Sequence, residues 1–262
     1  MKIHLPQTHF SRLMRAIVEF NLIEENDKIL VGVSGGKDSI FLTYALAVMR
    51  ERLKKNFSLM AVTINPMFTK DFDTSRVEAF CRSLDIPYIT HDVDIAGAIE
   101  KQDGKNPCFT CAYFRRGAIN RIAKENGCNK VAYAHHHDDA VETFLLSLLY
   151  SGQLKTFLPS TYLDHIDLTV IRPLIYFRES EVRDTISIHG FEPVPSPCPL
   201  DGKTKRQDVK ELIARLGEDN PMLYEHLAAG MRQSALGDLW PGTKSRDEMK
   251  IIYDQYMYGK KA

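Results

Sequence analysis

Short β-branched and apolar runs alternate with longer segments of helical period along this chain. Apolar strand-like runs cover 28–33, 57–64, 87–93 and 130–134. The segments between and after them, 38–53, 75–84, 113–126 and 139–150, place apolar residues three and four apart, as one face of a helix requires. A further strand over 168–172 precedes a helix over 179–189, and 9–20 reads as an amphipathic helix with Leu13, Ile17 and Phe20 on one stripe. Alternation of this kind predicts an α/β fold, a parallel sheet with helices on both faces. In such sheets ligands sit at the carboxyl ends of the strands.

The pattern changes after Gly190. Glu192-Pro193-Val194-Pro195-Ser196-Pro197-Cys198-Pro199 carries four prolines and cannot continue a helix. It reads as a rigid extended connector. Beyond it, 204–216, 221–236 and the tail 243–258 read as helices, with no repeat and no low-complexity stretch. We therefore expect an N-terminal helical segment (1–27), a central nucleotide domain (28–190) and a proline-rich loop with C-terminal helices (191–262). Neither a membrane-spanning apolar run nor a signal-peptide pattern is present, which predicts a cytoplasmic protein. The 34 basic and 34 acidic side chains cancel, so global charge does not draw this chain to nucleic acid. Local basic groups remain, among them Arg115-Arg116 and Lys203-Lys205-Arg206-Lys210, each of which singly reads as solvated surface.

Ser34-Gly35-Gly36-Lys37-Asp38-Ser39 joins the first strand to the helix after it. A glycine turn with free N–H groups at a helix start is an anion cradle, and a nucleotide phosphate is its natural guest. It is not a Walker A loop. Gly32 stands one residue too close, and Asp38 replaces the metal-binding Ser/Thr. The string resembles the PP-loop of the ATP pyrophosphatases. That resemblance implies a Rossmann-like sheet, cleavage of ATP between the α and β phosphates, and adenylation of a substrate.

Ala134-His135-His136-His137-Asp138-Asp139 follows the fourth strand, so it should face the same crevice as the phosphate loop. Its carboxylates can cap the next helix or hold Mg²⁺ opposite a triphosphate. Cys108-Phe109-Thr110-Cys111 lies in a Pro107-led loop, and Cys198 lies far along the chain. Iron–sulfur ligation, a zinc site completed by a histidine and dithiol redox chemistry are all open to a C-x-x-C. Cys81 and Cys128 read as buried structural thiols.

The two motifs together, with these cysteines and Leu148-Leu149-Tyr150-Ser151-Gly152-Gln153, resemble the tRNA 2-thiocytidine synthetases from about Phe20 to Leu216. The resemblance implies ATP-dependent thiolation of a tRNA cytidine, a 4Fe-4S cluster on Cys108, Cys111 and Cys198, and Mg²⁺. It also implies tRNA, a sulfur donor such as a cysteine desulfurase and a second copy of the chain as partners. ATP would rest on Ser34, Gly35, Gly36, Lys37, Asp38 and Ser39, with Val62 and His135 beside it. Lys37 would offset phosphate charge, and Asp38 and Asp139 would position Mg²⁺. Arg115, Arg116 and Arg172 are candidates for tRNA or nucleotide contacts. The chain departs from the family where Ala134 and His137 replace glycine and arginine, and where no second cysteine follows Cys198. Modification of another tRNA base, action on a small molecule, and a non-catalytic ATP and iron–sulfur sensor are the rival readings.

Overall fold

A computed structural model describes residues 3–69, 71–101, 106–195, 197–200, 202, 204–232, 245, 247–248 and 251. In chain order the elements begin with α1 (Gln7–Glu19), β1 (Asp27–Gly32), α2 (Lys37–Arg52), β2 (Phe57–Asn65), α3 (Ser75–Ser83) and β3 (Tyr88–Asp92). They continue with α4 (Ile95–Glu100), α5 (Pro107–Glu125), β4 (Lys130–Ala132), α6 (His137–Ser151), β5 (Ser160–Leu163) and β6 (Leu168–Ile171). The last are α7 (Glu179–Arg183), α8 (Ile186–His189), α9 (Lys205–Asp219) and α10 (Leu223–Arg232). The expected tail helix over 243–258 falls almost wholly outside the described residues.

The six strands form one sheet in the order β3-β2-β1-β4-β6-β5. All pairs are parallel except β5 with β6, where the chain turns back antiparallel at the edge. Alternate residues of the central strands feed two cores. Ile29, Val31, Leu59 and Ala61 face one that includes Leu13, Ile17, Phe41 and Leu46. Leu30, Val62, Ile64 and Val131 face another, closed by Ala118, Ile119 and Ile122 of α5. Helix α2 is buried at every position from Ser39 to Met49, which explains its unbroken apolar run. The sheet is thus the doubly covered parallel sheet that the alternation predicted.

Three expectations change. The single helix over 179–189 is two, α7 and α8. Between them the buried Thr185 hydroxyl donates to the Val182 carbonyl at 2.6 Å, so a side chain serves the carbonyl where the helix breaks. The C-x-x-C is not in a loop. Pro107 starts α5 and places Cys108 and Cys111 on its first turn, where a proline's missing N–H costs nothing. The short edge strand β5 and the short helix α4 have no clear period in the sequence.

At the amino ends of the strands, away from the crevice, Lys130 and Asp27 form a buried ion pair at 2.8 Å. Asp27 also accepts from Asn129 Nδ2 at 2.7 Å, and Lys130 donates to the Leu22 carbonyl at 3.2 Å. This knot ties β1 to β4 and to the chain after α1. Removing one partner strands the other charge in the interior. Lys130→Ala should therefore cost about 3–5 kcal/mol, read as a lowered urea midpoint with an unchanged slope.

Candidate active site

The parallel order fixes where the chemistry can lie. From β1 the chain winds outward through β2 and β3, then returns to place β4 on β1's other side. Loops after β1 and β4 therefore leave the carboxyl edge in opposite directions and open a crevice between them. Val31 pairs with Ala132, and Ala132 with Ile171, so the loops after β1, β4 and β6 leave the sheet side by side.

The loop after β1 is held by its own serines. Ser39 Oγ donates to the Gly36 carbonyl at 3.0 Å and accepts from the Ser34 N–H at 3.1 Å. Ser39 is buried and braces the turn, while Ser34 is exposed. Gly35 sits at φ +81°, in the left-handed region where a side chain strains the backbone. A methyl group there would also approach Val194 Cβ at 3.1 Å. Val194 belongs to the proline-rich segment, and its N–H donates to the Gly35 carbonyl at 2.9 Å.

Lys37 begins α2 and places its ammonium 3.0 Å from Asp38 Oδ2 and 3.2 Å from Glu179 Oε1. Burial works to lower its pKa, but the two carboxylates outweigh it and hold Lys37 above its ordinary value. Glu179 receives Lys210 as well, at 2.5 Å. Burial would raise its carboxyl, yet the two ammonium groups pull it down to about 2. Asp38 Oδ1, in contrast, is buried with no hydrogen-bond partner.

The second motif resolves into distinct tasks. His136, not a carboxylate, caps α6. It accepts from the Asp139 N–H at 3.4 Å, while Asp139 Oδ2 accepts from the His136 N–H at 2.9 Å. The capping reading of Asp139 is thus seen, on one of its oxygens; Oδ1 lies 3.5 Å from Arg206. The same His136 ring reaches toward Asp38, at 3.8 Å. Asp138 turns away to Arg178 at 3.2 Å and to the Glu179 N–H at 2.8 Å. Burial brings His135 down to about 4, so its ring is neutral. Sequence reasoning missed Glu179, Arg206 and Lys210 as parts of this site, and named His136 only within its motif, without its capping task. Only the charge run 203–210 hinted at two of them.

A cavity of about 460 Å³ opens on the phosphate loop. Val33, Ser34, Asp38 and Ser39 line it from β1, Val62 and Ile64 from β2, and Tyr133, His135 and Asp139 from β4 onward. Arg115 and Arg116 of α5 and Arg172 after β6 also line it. The three arginines, candidates for tRNA or nucleotide contacts, thus form part of the crevice wall. Beside it lies a smaller cleft of about 240 Å³ with Lys37, Glu142, Glu179, Arg206 and Lys210 on its walls.

Cys111 is half-buried at the head of α5, one residue before the cavity-lining Ala112. Burial pushes its thiol up; Arg115 opposes this, and the charges of Cys198 and Cys108 add to it. The three thiols are thus electrostatic neighbours. Among the described residues, however, no three His, Cys, Asp or Glu side chains are drawn together tightly enough to hold a metal ion. Cys81 and Cys128 are buried, as expected of structural thiols.

Residues 6–215 match the PP-loop domain family. A tRNA-cytidine(32) 2-sulfurtransferase of Syntrophotalea carbinolica is 38% identical over 231 residues, 87% of each chain. The protein of the same name in Geobacter metallireducens is 38% identical over 81% of this chain and 84% of its own. The chain belongs to the PP-loop family, in its tRNA-cytidine 2-sulfurtransferase branch. As a member of these PP-loop sulfurtransferases it is an enzyme, which sets aside the sensor reading. The fold agrees: the U34-tRNA thiolase NcsA of Methanococcus maripaludis, solved with its [4Fe-4S] cluster, superposes with a TM-score of 0.71. That structure covers 98% of this chain and 89% of its own at 22% identity. No helix among the described residues is long and apolar enough to cross a membrane.

Gly35 carries two separate constraints, its dihedral and its contact with Val194. Gly35→Ala should lower stability by roughly 1–3 kcal/mol and weaken ATP binding at least tenfold, measured by thermal melts and by titration with a non-hydrolysable ATP analogue.

Proposed function

We propose that this enzyme transfers sulfur to a tRNA cytidine, at position 32 as in its relatives, by way of an adenylated base. One observation carries the reading. The phosphate loop with Asp38 and the helix whose first turn bears Cys108 and Cys111 wall the same cavity, α5 through Ala112 and Arg115. Activation by ATP and delivery of sulfur can then act on one base without its leaving.

ATP lies with its phosphates on residues 34–39 and its adenine toward Val62 and Ile64. The N–H groups of the loop and Lys37 hold the phosphates. The C2 oxygen of cytosine attacks the α-phosphorus, the bond to the β-phosphate oxygen breaks, and pyrophosphate leaves. AMP is a far better leaving group than an oxo group. Sulfide then adds to C2, the C2–O bond breaks, and AMP departs with the oxygen. Positioning and fixed charge account for the gain in rate.

Two absent groups find donors of the right chemistry among the residues present, although the described side chains are not gathered round an ion. Asp38 Oδ1, buried and unpaired, suits a Mg²⁺ ligand, with Oδ1 of Asp139 as the second candidate. Cys108, Cys111 and Cys198 offer thiols, the donor type that iron–sulfur clusters take, and the charges of Cys108 and Cys198 are both felt at Cys111. Coordination to iron would hold Cys111 as a thiolate against the upward push of burial. Bound on three protein thiolates, a 4Fe-4S cluster supplies one iron able to hold the sulfur to be transferred.

The two halves of the reaction should separate by mutation. Asp38→Ala should slow pyrophosphate release by about 10²-fold or more, with the iron and sulfide content of anaerobically purified protein unchanged. Cys108→Ser should abolish thiolation and lower iron content while ATP still binds. Full sulfur transfer by Cys108→Ser, or zinc alone in the wild-type protein, would refute the cluster assignment. Undiminished pyrophosphate release by Asp38→Ala would refute the role of Asp38.

A further inference from the structure

The wall of the cavity on the β4 and β6 side carries polar atoms that nothing in the protein satisfies. Tyr133 Oη, Arg172 Nε, Arg115 Nε and His135 Nδ1 are each buried without a hydrogen-bond partner, and all four residues line the cavity. Buried polar groups are almost always paired, so four together mark a surface completed by a ligand. Three of these side chains, those of Tyr133, Arg172 and His135, are held by their neighbours. A methyl group at Gly32 would meet the Tyr133 ring at 3.4 Å, so the ring lies against that glycine. The Tyr133 N–H donates to the Ile171 carbonyl at 3.0 Å, which sets Tyr133 beside Arg172. Arg172 donates through Nη1 to the Leu158 carbonyl at 2.7 Å and stacks over Phe157 at 4.9 Å. Phe157 packs in turn on His135, at 5.1 Å between rings.

Burial raises the Tyr133 hydroxyl to about 12, so it stays protonated and can donate or accept. The guanidinium Nε–H groups can only donate. Cytosine presents acceptors at O2 and N3 and a donor at its 4-amino group. Uracil presents N3–H and an acceptor at O4 instead. On the reading above, the adenosine of ATP takes the other side of the crevice, toward Val62 and Ile64 of β2, since β2 and β4 flank β1 on opposite sides.

We propose, resting on the sulfur-transfer reading above, that Tyr133 and Arg172 read the target base. Arg172 Nε–H donates to N3 of cytosine, and the Tyr133 oxygen accepts from the 4-amino group. Uracil would set N–H against N–H at Arg172 and leave both unpaired. A site built from fixed hydrogen-bonding groups rejects the wrong partner for that reason.

The test compares two transcripts of one tRNA, with cytidine or uridine at the target position, using anaerobically prepared holoenzyme. Tyr133→Phe keeps the ring against Gly32 and removes only the hydroxyl. It should lower kcat/KM for thiolation of the cytidine transcript about tenfold and reduce the cytidine-over-uridine ratio. Arg172→Lys should reduce that ratio further. Binding of α,β-methylene-ATP should stay within twofold of wild type in both. An unchanged ratio in both variants overturns the inference while the sulfur-transfer reading stands. So does a tenfold loss of α,β-methylene-ATP affinity with the ratio intact, which would assign these atoms to the adenine of ATP. Wild-type holoenzyme that thiolates neither transcript overturns the sulfur-transfer reading itself, and this inference with it.

Discussion

The reversal of strand order at β1 governs everything at this site. Parallel strands need long crossovers, and each crossover here covers one face of the sheet with a helix. Where the winding changes direction, between β1 and β4, the loops part and the carboxyl edge stays open. The phosphate loop, the three-histidine motif and Arg172 all leave the sheet at that edge. None of them needs a long excursion to reach the others. Their rigidity comes from the buried strands behind them, and from the Lys130–Asp27 pair that ties β1 to β4 at the far end.

Much of this was legible because it is local. A glycine turn between an apolar run and a helix can be read from Gly35, Gly36 and their neighbours alone, and period fixed most of the helices. What was not legible depends on packing. Nothing near Thr185 says that its hydroxyl will take the Val182 carbonyl and split a helix. Pro107 looked like a loop residue, though a proline is equally at home at the first position of α5. His136 read as one of three candidate histidines, yet its place just before α6 makes it the cap and draws Asp139 back to its own N–H. Glu179, Arg206 and Lys210 carry no motif. They matter because α7 and α9 pack beside the loop, which only the folded chain decides.

Those late residues change the electrostatics. The cleft beside Lys37 is lined by three cations, Lys37, Arg206 and Lys210, and four carboxylates, Asp38, Asp139, Glu142 and Glu179. Each ammonium or guanidinium is already engaged: Lys37 and Lys210 with Glu179, Arg206 with Glu142 at 3.1 Å. A triphosphate entering here meets acidic groups that outnumber the basic ones. Either these pairs open or a divalent cation accompanies the phosphates. Asp38 Oδ1, 3.8 Å from the His136 ring, has no hydrogen-bond partner of its own.

The same pairs bear on the cysteines. Cys198 sits in a proline-rich stretch whose described residues form neither helix nor strand. Four residues before it, the Val194 N–H is bonded to Gly35 in the phosphate loop. Eight residues after it, Arg206 reaches the carbonyl of Asp139 at 3.3 Å and Glu142 beyond. The chain on either side of Cys198 is therefore tied to the phosphate loop and to α6. Prolines between these anchors remove backbone freedom that a flexible loop would keep. Cys111, in contrast, rides on α5, which packs on β1, β2 and β4. One stretch of chain thus carries the Cys198 thiol and touches both the phosphate loop and the start of α6.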